Sequence, residues 1–203
     1  VEGITNAAPF HDLPLRRTSP CHIRLIHHGG ATASRRIEGM IDMMGLVDER
    51  FSLDLILVPG DPRYIARIRQ RGAGKPRIRF LDPVPTDKLV GLSAGYDVGL
   101  FLLPPTNFNY AMALPNKLFE FSQARLAVAI GPSPEMARIV RQFDCGIVAD
   151  DFAPATLACA LNSLTAADVD RMKAGSEKAA CVYTAENNAE KVREIVTSAL
   201  KEF

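Results

Sequence analysis

The segment LPNKLFEF, residues 114–121, predicts a helix start around which the rest of the fold is arranged. Pro115 presets the backbone for a first helical turn, Asn116 is a favoured N-cap, and the apolar residues that follow begin a buried face. The N–H groups of residues 117–119 have no partner inside such a helix and, together with the helix dipole, attract an anion. Lys117 adds a full positive charge at the same place.

Glu120 lies one turn further into this helix. A carboxylate would repel a phosphate, but it is a good acceptor for neighbouring sugar hydroxyls. A diphosphate at the helix start and a ribose on Glu120 would together describe a nucleotide. For the segment taken alone, the alternative is an ordinary capped helix in which Lys117 and Glu120 are solvated.

Predicted strands and helices alternate along the chain. Apolar runs indicate strands at residues 22–28, 51–58, 77–81, 97–103, 126–130 and 146–149. Helical spacing indicates helices between them, including one from Ser34 or Arg35 and one capped by Thr86 or Asp87, and only helices from Pro154 onward. This order predicts an α/β fold with a doubly wound, Rossmann-like parallel sheet and C-terminal helices.

The first predicted strand stops at Gly29 and Gly30, which predict a tight loop. In doubly wound sheets, ligands bind at the carboxyl ends of the strands. Both the glycine loop and residues 115–116 lie at such ends, so we expect them to converge on one ligand. Two roles are open for His28 at the strand end, a contact with the ligand and a hydrogen bond within the loop, and the second is expected.

Composition excludes several classes of protein. The 203 residues are 47% hydrophobic with a net charge of +1, which gives no bulk argument for nucleic-acid binding. No apolar run approaches a membrane span, and the four cysteines are scattered without metal-ligand spacing. We therefore expect a cytoplasmic protein, free or peripheral to the inner face of a membrane, with no metal site. The arginines between residues 63 and 71 are expected to be a solvated helix face.

Residues 114–121, followed by the strand at 126–130 and by Pro134-Glu135-Met136, resemble the C-terminal, nucleotide-sugar-binding domain of GT-B glycosyltransferases of the family 4 type (glycosyl transferases group 1). Weaker features follow in the order of that family, at residues 28–36, 80–85, 96–98 and 145–148. Asn6-Ala7-Ala8-Pro9 is similar to the interdomain linker of these enzymes. The resemblance implies a lead-in or linker at residues 1–20 and the nucleotide-sugar-binding domain at residues 21–203.

The resemblance also implies roles for individual residues. The donor diphosphate would lie at the glycine loop and on the amides of the helix start, with its charge neutralised by Lys117 and by Arg35 or Arg36. Glu120 would bind ribose, and the turn at Pro83 and Val84 would offer backbone groups to the base. The implied catalytic residues are Arg35 and Lys117, and the implied donor-binding residues are Gly29, Gly30, Arg36, Val84, Pro115, Asn116, Leu118 and Glu120.

The function implied is the donor-binding half of a retaining glycosyltransferase that needs no metal or other cofactor. Its partners would be a nucleotide sugar, an acceptor (a sugar, a lipid-linked sugar or a small molecule) and an N-terminal domain outside this chain, without which the isolated domain is expected to be inactive. Two departures from the family pattern stand out: Met112 replaces an acid eight residues before Glu120, and Gly30 replaces a frequent arginine. The alternative is a module of the same fold that has lost catalysis and binds a nucleotide or a protein.

Overall fold

The computed structural model describes Thr5 and residues 7–201, without the Lys201 side chain. The described residues do not include Asn6 of the linker-like motif, nor residues 1–4 and 202–203 of the predicted domains. Six strands form one parallel sheet: β1 Ile23–Ala31, β2 Phe51–Pro59, β3 Ile78–Leu81, β4 Val98–Phe101, β5 Ala127–Ile130 and β6 Gly146–Val148. Their order in the sheet is β3-β2-β1-β4-β5-β6.

Nine helices are present in the described part of the chain. They are α1 Glu38–Met43, α2 Pro62–Gly72, α3 Thr86–Ser93, α4 Phe108–Ala111, α5 Asn116–Gln123, α6 Pro134–Phe143, α7 Pro154–Asn162, α8 Ala166–Val182 and α9 Ala185–Lys201, and a 3-10 turn covers Ala33–Arg35. The predicted α/β fold with an all-parallel sheet is confirmed. Among the described residues, no helix has both the length and the apolar character that crossing a membrane requires.

Hydrophobic cores lie on both faces of the sheet. Alternate strand residues point to opposite faces, and accordingly Leu25 belongs to one core and its neighbour Ile26 to the other. Helices α1, α2, α7 and α8 pack in the first core, and α3, α5 and α6 pack in the second. Burial on both faces explains why the central strands are continuous apolar runs.

The sheet reverses its strand order between β1 and β4, which are neighbours in the sheet although two other strands separate them in the sequence. A crevice forms at the carboxyl ends of strands at such a switch point. The segment after β1 leads into the 3-10 turn, and the segment after β4 leads through α4 into α5. The topology therefore brings Gly29 and the start of α5 to the same crevice.

The predicted loop at Gly29 and Gly30 is wrong, because β1 continues through both glycines to Ala31. Parallel pairing with Leu57, Val58 and Pro59 of β2 holds residues 29–31 in the sheet. The following helix also begins later than Ser34 or Arg35. Arg36 has a left-handed backbone with φ 47°, which an α-helix does not accommodate, so α1 starts only at Glu38.

The arginines of α2 are exposed, and some of them contact side chains of the same chain. Arg71 forms two hydrogen bonds of 2.7 Å with the Asp42 carboxylate, and the Arg67 guanidinium lies 5.0 Å from the centroid of the Tyr64 ring. These contacts agree with a helix face that packs its side-chain stems on the protein.

Helix α9 leaves its apolar face uncovered. Val192, Ile195 and Val196 are 40–50% exposed, and Leu200 is 72% exposed. These apolar residues therefore do not pack closely on the rest of the described domain. The helix is attached at its first turn instead, where the Ala185 amide donates to the Ala8 carbonyl at 3.0 Å.

Replacing Gly99 in β4 with alanine tests how closely α5 is held to the sheet. A Cβ at this position would overlap the ring of Phe121, a fully buried residue of α5. Overpacking of this kind costs about 1–3 kcal/mol, so we expect Gly99→Ala to lower the free energy of unfolding by that amount in urea denaturation.

Gly91→Ala is the matched control. Gly91 lies on the exposed side of α3 with no atom within 4 Å of an added Cβ. Alanine has the higher helix propensity, so this variant should be as stable as the wild type or more stable, by up to about 1 kcal/mol. Equal stability of Gly99→Ala and the wild type would contradict the close packing of α5.

Candidate functional site

Helix α5 begins one residue earlier than its sequence suggested. Pro115 is the N-cap, and its carbonyl accepts a hydrogen bond from the Leu118 amide at 3.1 Å. The predicted side-chain cap by Asn116 is therefore wrong, since this residue already belongs to the helix. The amides of Asn116 and Lys117 have no partner within the helix and remain as its open donors.

A cavity of about 420 Å³ lies at this helix start, at the carboxyl ends of the strands. It is lined by His28, Gly29, Arg35, Ile56, Val58, Val84, Thr86, Leu89, Pro115, Asn116, Lys117 and Glu120. The cavity thus brings together seven of the ten predicted site residues. Gly30, Arg36 and Leu118 are not among its lining residues.

Lys117 is the central feature of the cavity. Its side chain is buried, with the residue only 6% exposed, and its Nζ atom has no hydrogen-bond partner among the described residues. The Nζ atom lies 4.0 Å from the centroid of the Phe101 ring. Burial and the nearby charge of Arg35 lower the pKa of Lys117 to about 7. The alternative of a solvated Lys117 is therefore wrong.

Two cations converge on Gly29. A Cβ at this residue would lie 3.1 Å from Lys117 Nζ and 3.4 Å from Arg35 Nη1. The backbone of Gly29 has φ 127°, a conformation that glycine adopts and other residues rarely do. Glycine thus leaves room for both positive groups beside the strand end, where an anion could contact them together.

Arg35, and not Arg36, provides the second cation. Arg35 Nη1 donates to the Gly30 carbonyl at 3.1 Å, which holds the guanidinium against the strand. Arg36 caps the 3-10 turn with its backbone and does not line the cavity. Of the two arginines, Arg35 is the one that lines the cavity. Gly30 contributes through its carbonyl group.

Glu120 and His28 form the next part of the cavity. The Glu120 side chain is 14% exposed, and His28 Nδ1 lies 3.7 Å from its Oε2 atom. Burial raises the pKa of Glu120, whereas the Lys117 charge lowers it. Burial and Lys117 together lower the pKa of His28 to about 3, so this imidazole is neutral.

The side of the cavity next to β2 and α3 is aliphatic. Ile56 and Val58 come from the carboxyl end of β2, and Val84 and Leu89 come from the segment that enters α3 and from α3 itself. Across the sheet, the cavity therefore runs from cations beside β1 and β4 to apolar side chains beside β2 and β3. Sequence analysis named Val84 but missed Ile56, Val58 and Leu89, although the positions of Ile56 and Val58 at the end of β2 were a signal. It also weighed a ligand contact for His28.

Helix α4 is tied to the turn that carries Arg35, and Met112 follows this helix. Tyr110 of α4 shares a 3.0 Å hydrogen bond between its hydroxyl group and Ser34 Oγ, which ties α4 to the turn that carries Arg35. Met112 caps α4, is 42% exposed and does not line the cavity. The structure thus places no substitute carboxylate at that position.

Comparison with known proteins identifies the fold. No protein-family profile and no curated protein matches the sequence. Among solved structures, HepE of Anabaena in complex with UDP superposes with a TM-score of 0.73 at 13% identity, over 88% of this chain and 49% of that chain. A glycosyltransferase from Rickettsia africae gives a TM-score of 0.73 at 13% identity, over 90% and 49% of the two chains.

A third structure matches over its entire length. It is the catalytic domain of cholesterol-α-glucosyltransferase from Helicobacter pylori, with a TM-score of 0.60 at 16% identity, over 82% of this chain and 100% of that chain. The present chain spans about half the length of the HepE and Rickettsia chains. At these identities the comparisons establish the fold alone, and that fold is one half of a GT-B glycosyltransferase, as the resemblance in the sequence predicted.

Proposed function

We propose that this chain is the donor-binding half of a retaining glycosyltransferase, which transfers a sugar from a nucleoside-diphosphate sugar to an acceptor. The observation that carries the proposal is the buried Lys117 Nζ atom, which has no partner in the described part of the protein and lies beside Arg35 at the start of α5. Unpaired buried charges are costly, so the site is built for an anion that supplies the missing partner.

A diphosphate matches the charge and the spacing of these groups. The Asn116 and Lys117 amides face the start of the helix, where the macrodipole favours negative charge. Lys117 and Arg35 add two cations to the same place. As the bond from the sugar to the diphosphate breaks, negative charge grows on the leaving group, and preorganised donors in a buried site stabilise that charge strongly.

The nucleoside would occupy the rest of the cavity. Glu120 lies one helical turn from the open amides and would accept hydrogen bonds from ribose hydroxyls. The base would enter between the aliphatic side chains beside β2 and α3, with the backbone of Val84 as its polar partner. HepE, whose fold is similar, has been crystallised with UDP and with UDP-glucose, which supports a nucleotide sugar as the donor here.

The reaction proposed here uses side-chain cations at the diphosphate. Lys117, Arg35 and the α5 amides together supply the charge stabilisation that a departing diphosphate needs. We therefore propose donor activation without a metal or another cofactor. The acceptor would be held by a second domain that closes over the carboxyl edge of the sheet, which is supported by the match to only half of the HepE chain.

One observation favours a second candidate, a nucleotide-binding or protein-interaction module without transferase activity. Met112 stands where the family has an acid, and the cavity has no lining residue from α4. Such a module would bind the nucleotide but would not distinguish one sugar derivative of that nucleotide from another. A transferase should discriminate among these derivatives, because its site contacts the sugar.

A ligand panel tests the proposed function. The protein should be stabilised by at least one of UDP, GDP and ADP, and one sugar derivative of that nucleotide should stabilise it more than the other sugar derivatives do. A ligand at 100 times its dissociation constant stabilises by about 2.7 kcal/mol, which is readily seen as a rise in melting temperature. No rise with any of these nucleotides or their sugars would contradict the proposal.

Replacing Lys117 with methionine separates binding from folding. The variant removes a buried, unpartnered charge beside Arg35, so its melting temperature without ligand should equal or exceed that of the wild type. Affinity for the nucleoside diphosphate should fall by about 1.5–3 kcal/mol, the value of a hydrogen bond to a charged group, as measured by calorimetry. Lys178→Met, on the exposed face of α8, is the matched control and should bind like the wild type.

Replacing Glu120 with glutamine tests the ribose contact. The loss of a charged acceptor should weaken nucleoside diphosphate binding by about 1.5–3 kcal/mol. Pyrophosphate lacks the ribose, so its affinity should fall little or even rise as a nearby negative charge is removed. Equal losses for both ligands in calorimetric titrations would mean that Glu120 acts through the fold.

A further inference from the structure

His28 is the buried polar residue of the cavity that the proposed function leaves without a role. It is 2% exposed and lines the cavity at the end of β1. Its Nε2 atom has no hydrogen-bond partner in the described protein, and its Nδ1 atom comes no closer to Glu120 Oε2 than 3.7 Å. Buried polar groups are nearly always hydrogen-bonded, so the Nδ1 atom of a cavity-lining residue, this near to a carboxylate but not bonded to it, points to a contact completed in the ligand-bound state.

The neighbouring histidine shows what a structural role looks like on the same strand. His27 is equally buried, and its Nε2 atom likewise has no partner among the described residues, but its Nδ1 atom hydrogen-bonds the Leu100 carbonyl of β4 at 2.9 Å. His27 does not line the cavity. The strand therefore carries one histidine that ties two strands together and one that faces the proposed nucleotide.

The position of the His28 ring is fixed before any ligand binds. The ring packs edge-on against Phe121, with ring centroids 4.9 Å apart and an interplanar angle of 69°. Phe121 is fully buried in the same helix that carries Glu120, so the ring and the carboxylate are positioned by one packed unit. Only the Glu120 side chain has to move to shorten the 3.7 Å separation.

The protonation state of His28 determines whether this residue can donate a hydrogen bond to Glu120. Because His28 is neutral, its imidazole has a single N–H group. An ionised carboxylate can only accept hydrogen bonds, so the nitrogen that faces it, Nδ1, is the one that carries the proton when the contact forms. The contact is then a hydrogen bond from a neutral donor to a charged acceptor, which is among the stronger kinds.

Glu120 needs such a donor to bind ribose. Its side chain has no hydrogen bond in the described structure, and burial disfavours its ionised form. A protonated carboxyl is a poorer acceptor for two hydroxyl groups than a carboxylate. One oxygen held by an N–H group would keep the carboxylate ionised and would turn the other oxygen toward the ribose.

We propose that His28 is a positioning residue for Glu120, donating from Nδ1 to the carboxylate in the nucleotide-bound protein so that Glu120 accepts the ribose hydroxyls. This inference rests on the proposed function, in which Glu120 is the ribose ligand. Hydrogen bonds of this kind are often long in the free protein and tighten in the complex, which agrees with the 3.7 Å separation.

Three substitutions test the contact. His28→Asn keeps an N–H donor near the Nδ1 position, His28→Gln places it near the Nε2 position, and His28→Leu removes both. We expect calorimetry to show about tenfold weaker binding of UDP, GDP or ADP for His28→Leu and His28→Gln, with substantial recovery in His28→Asn. Pyrophosphate affinity should stay within about twofold in all three variants.

A double-mutant cycle distinguishes a direct contact between His28 and Glu120 from a purely structural role of His28. In the Glu120→Gln background, His28→Leu should cause little further loss of nucleotide affinity, because the contact is already gone. His27→Leu is the control: it should lower the melting temperature and leave the ratio of nucleotide to pyrophosphate affinity unchanged. If His28→Leu does not fold, the comparison of His28→Asn with His28→Gln decides the question alone.

The outcomes separate this inference from the proposed function. Equal losses for nucleotide and pyrophosphate, recovery by Gln instead of Asn, or additive losses in the double variant would each overturn the role of His28. Wild-type binding of a nucleoside diphosphate with unchanged affinity in the His28 variants would overturn it too, and would leave the proposed function standing. Absence of nucleotide binding by the wild-type protein would instead remove the proposed function.

Discussion

The arrangement of the site depends on a buried lysine amine whose Nζ atom has no hydrogen-bond partner among the described residues. Lys117 Nζ is held beneath the protein surface, against Phe101 and within reach of Arg35. Burying an unpaired charge is unfavourable, and a second cation nearby makes it more so. The packing of α5 must therefore hold it there, through the buried ring of Phe121, which lies against Gly99 of β4. The packed core thus holds the amine in the cavity, where a bound anion would favour its charged form.

Topology determines which chemical groups meet at this point. The reversal of strand order between β1 and β4 opens the crevice. The lining residues are distributed across the sheet, from β1 and β4 toward β2 and β3. Cations lie at the switch point, the carboxylate of Glu120 lies one helical turn away, and aliphatic side chains lie toward β2 and β3. A nucleotide has the same sequence of properties, from charged phosphates through a hydroxylated sugar to a flat base. The groups that line the cavity therefore follow the same order as the groups of a nucleotide that they would contact.

Much of this could be predicted from the sequence, because hydrophobic periodicity and helix-start signals are local. The alternating strands and helices, and the convergence of Gly29 with the α5 start, follow from patterns within short windows. The missed features depend on distant partners. Pairing with β2 extends β1 through both glycines, burial beneath β4 makes Lys117 a partly neutral amine, and the packing of Phe121 determines which way His28 faces. No local pattern carries that information.

The most direct measurement for the central claim is the proton uptake that accompanies diphosphate binding. With its pKa near 7, Lys117 is mostly neutral at pH 8 in the free protein, and a diphosphate beside it would raise that pKa. Calorimetry of UDP, GDP or ADP binding at pH 8, in two buffers of different ionisation enthalpy, should show uptake of about one proton. Lys117→Met should show almost none. The same uptake in both proteins, or none in the wild type, would contradict the account.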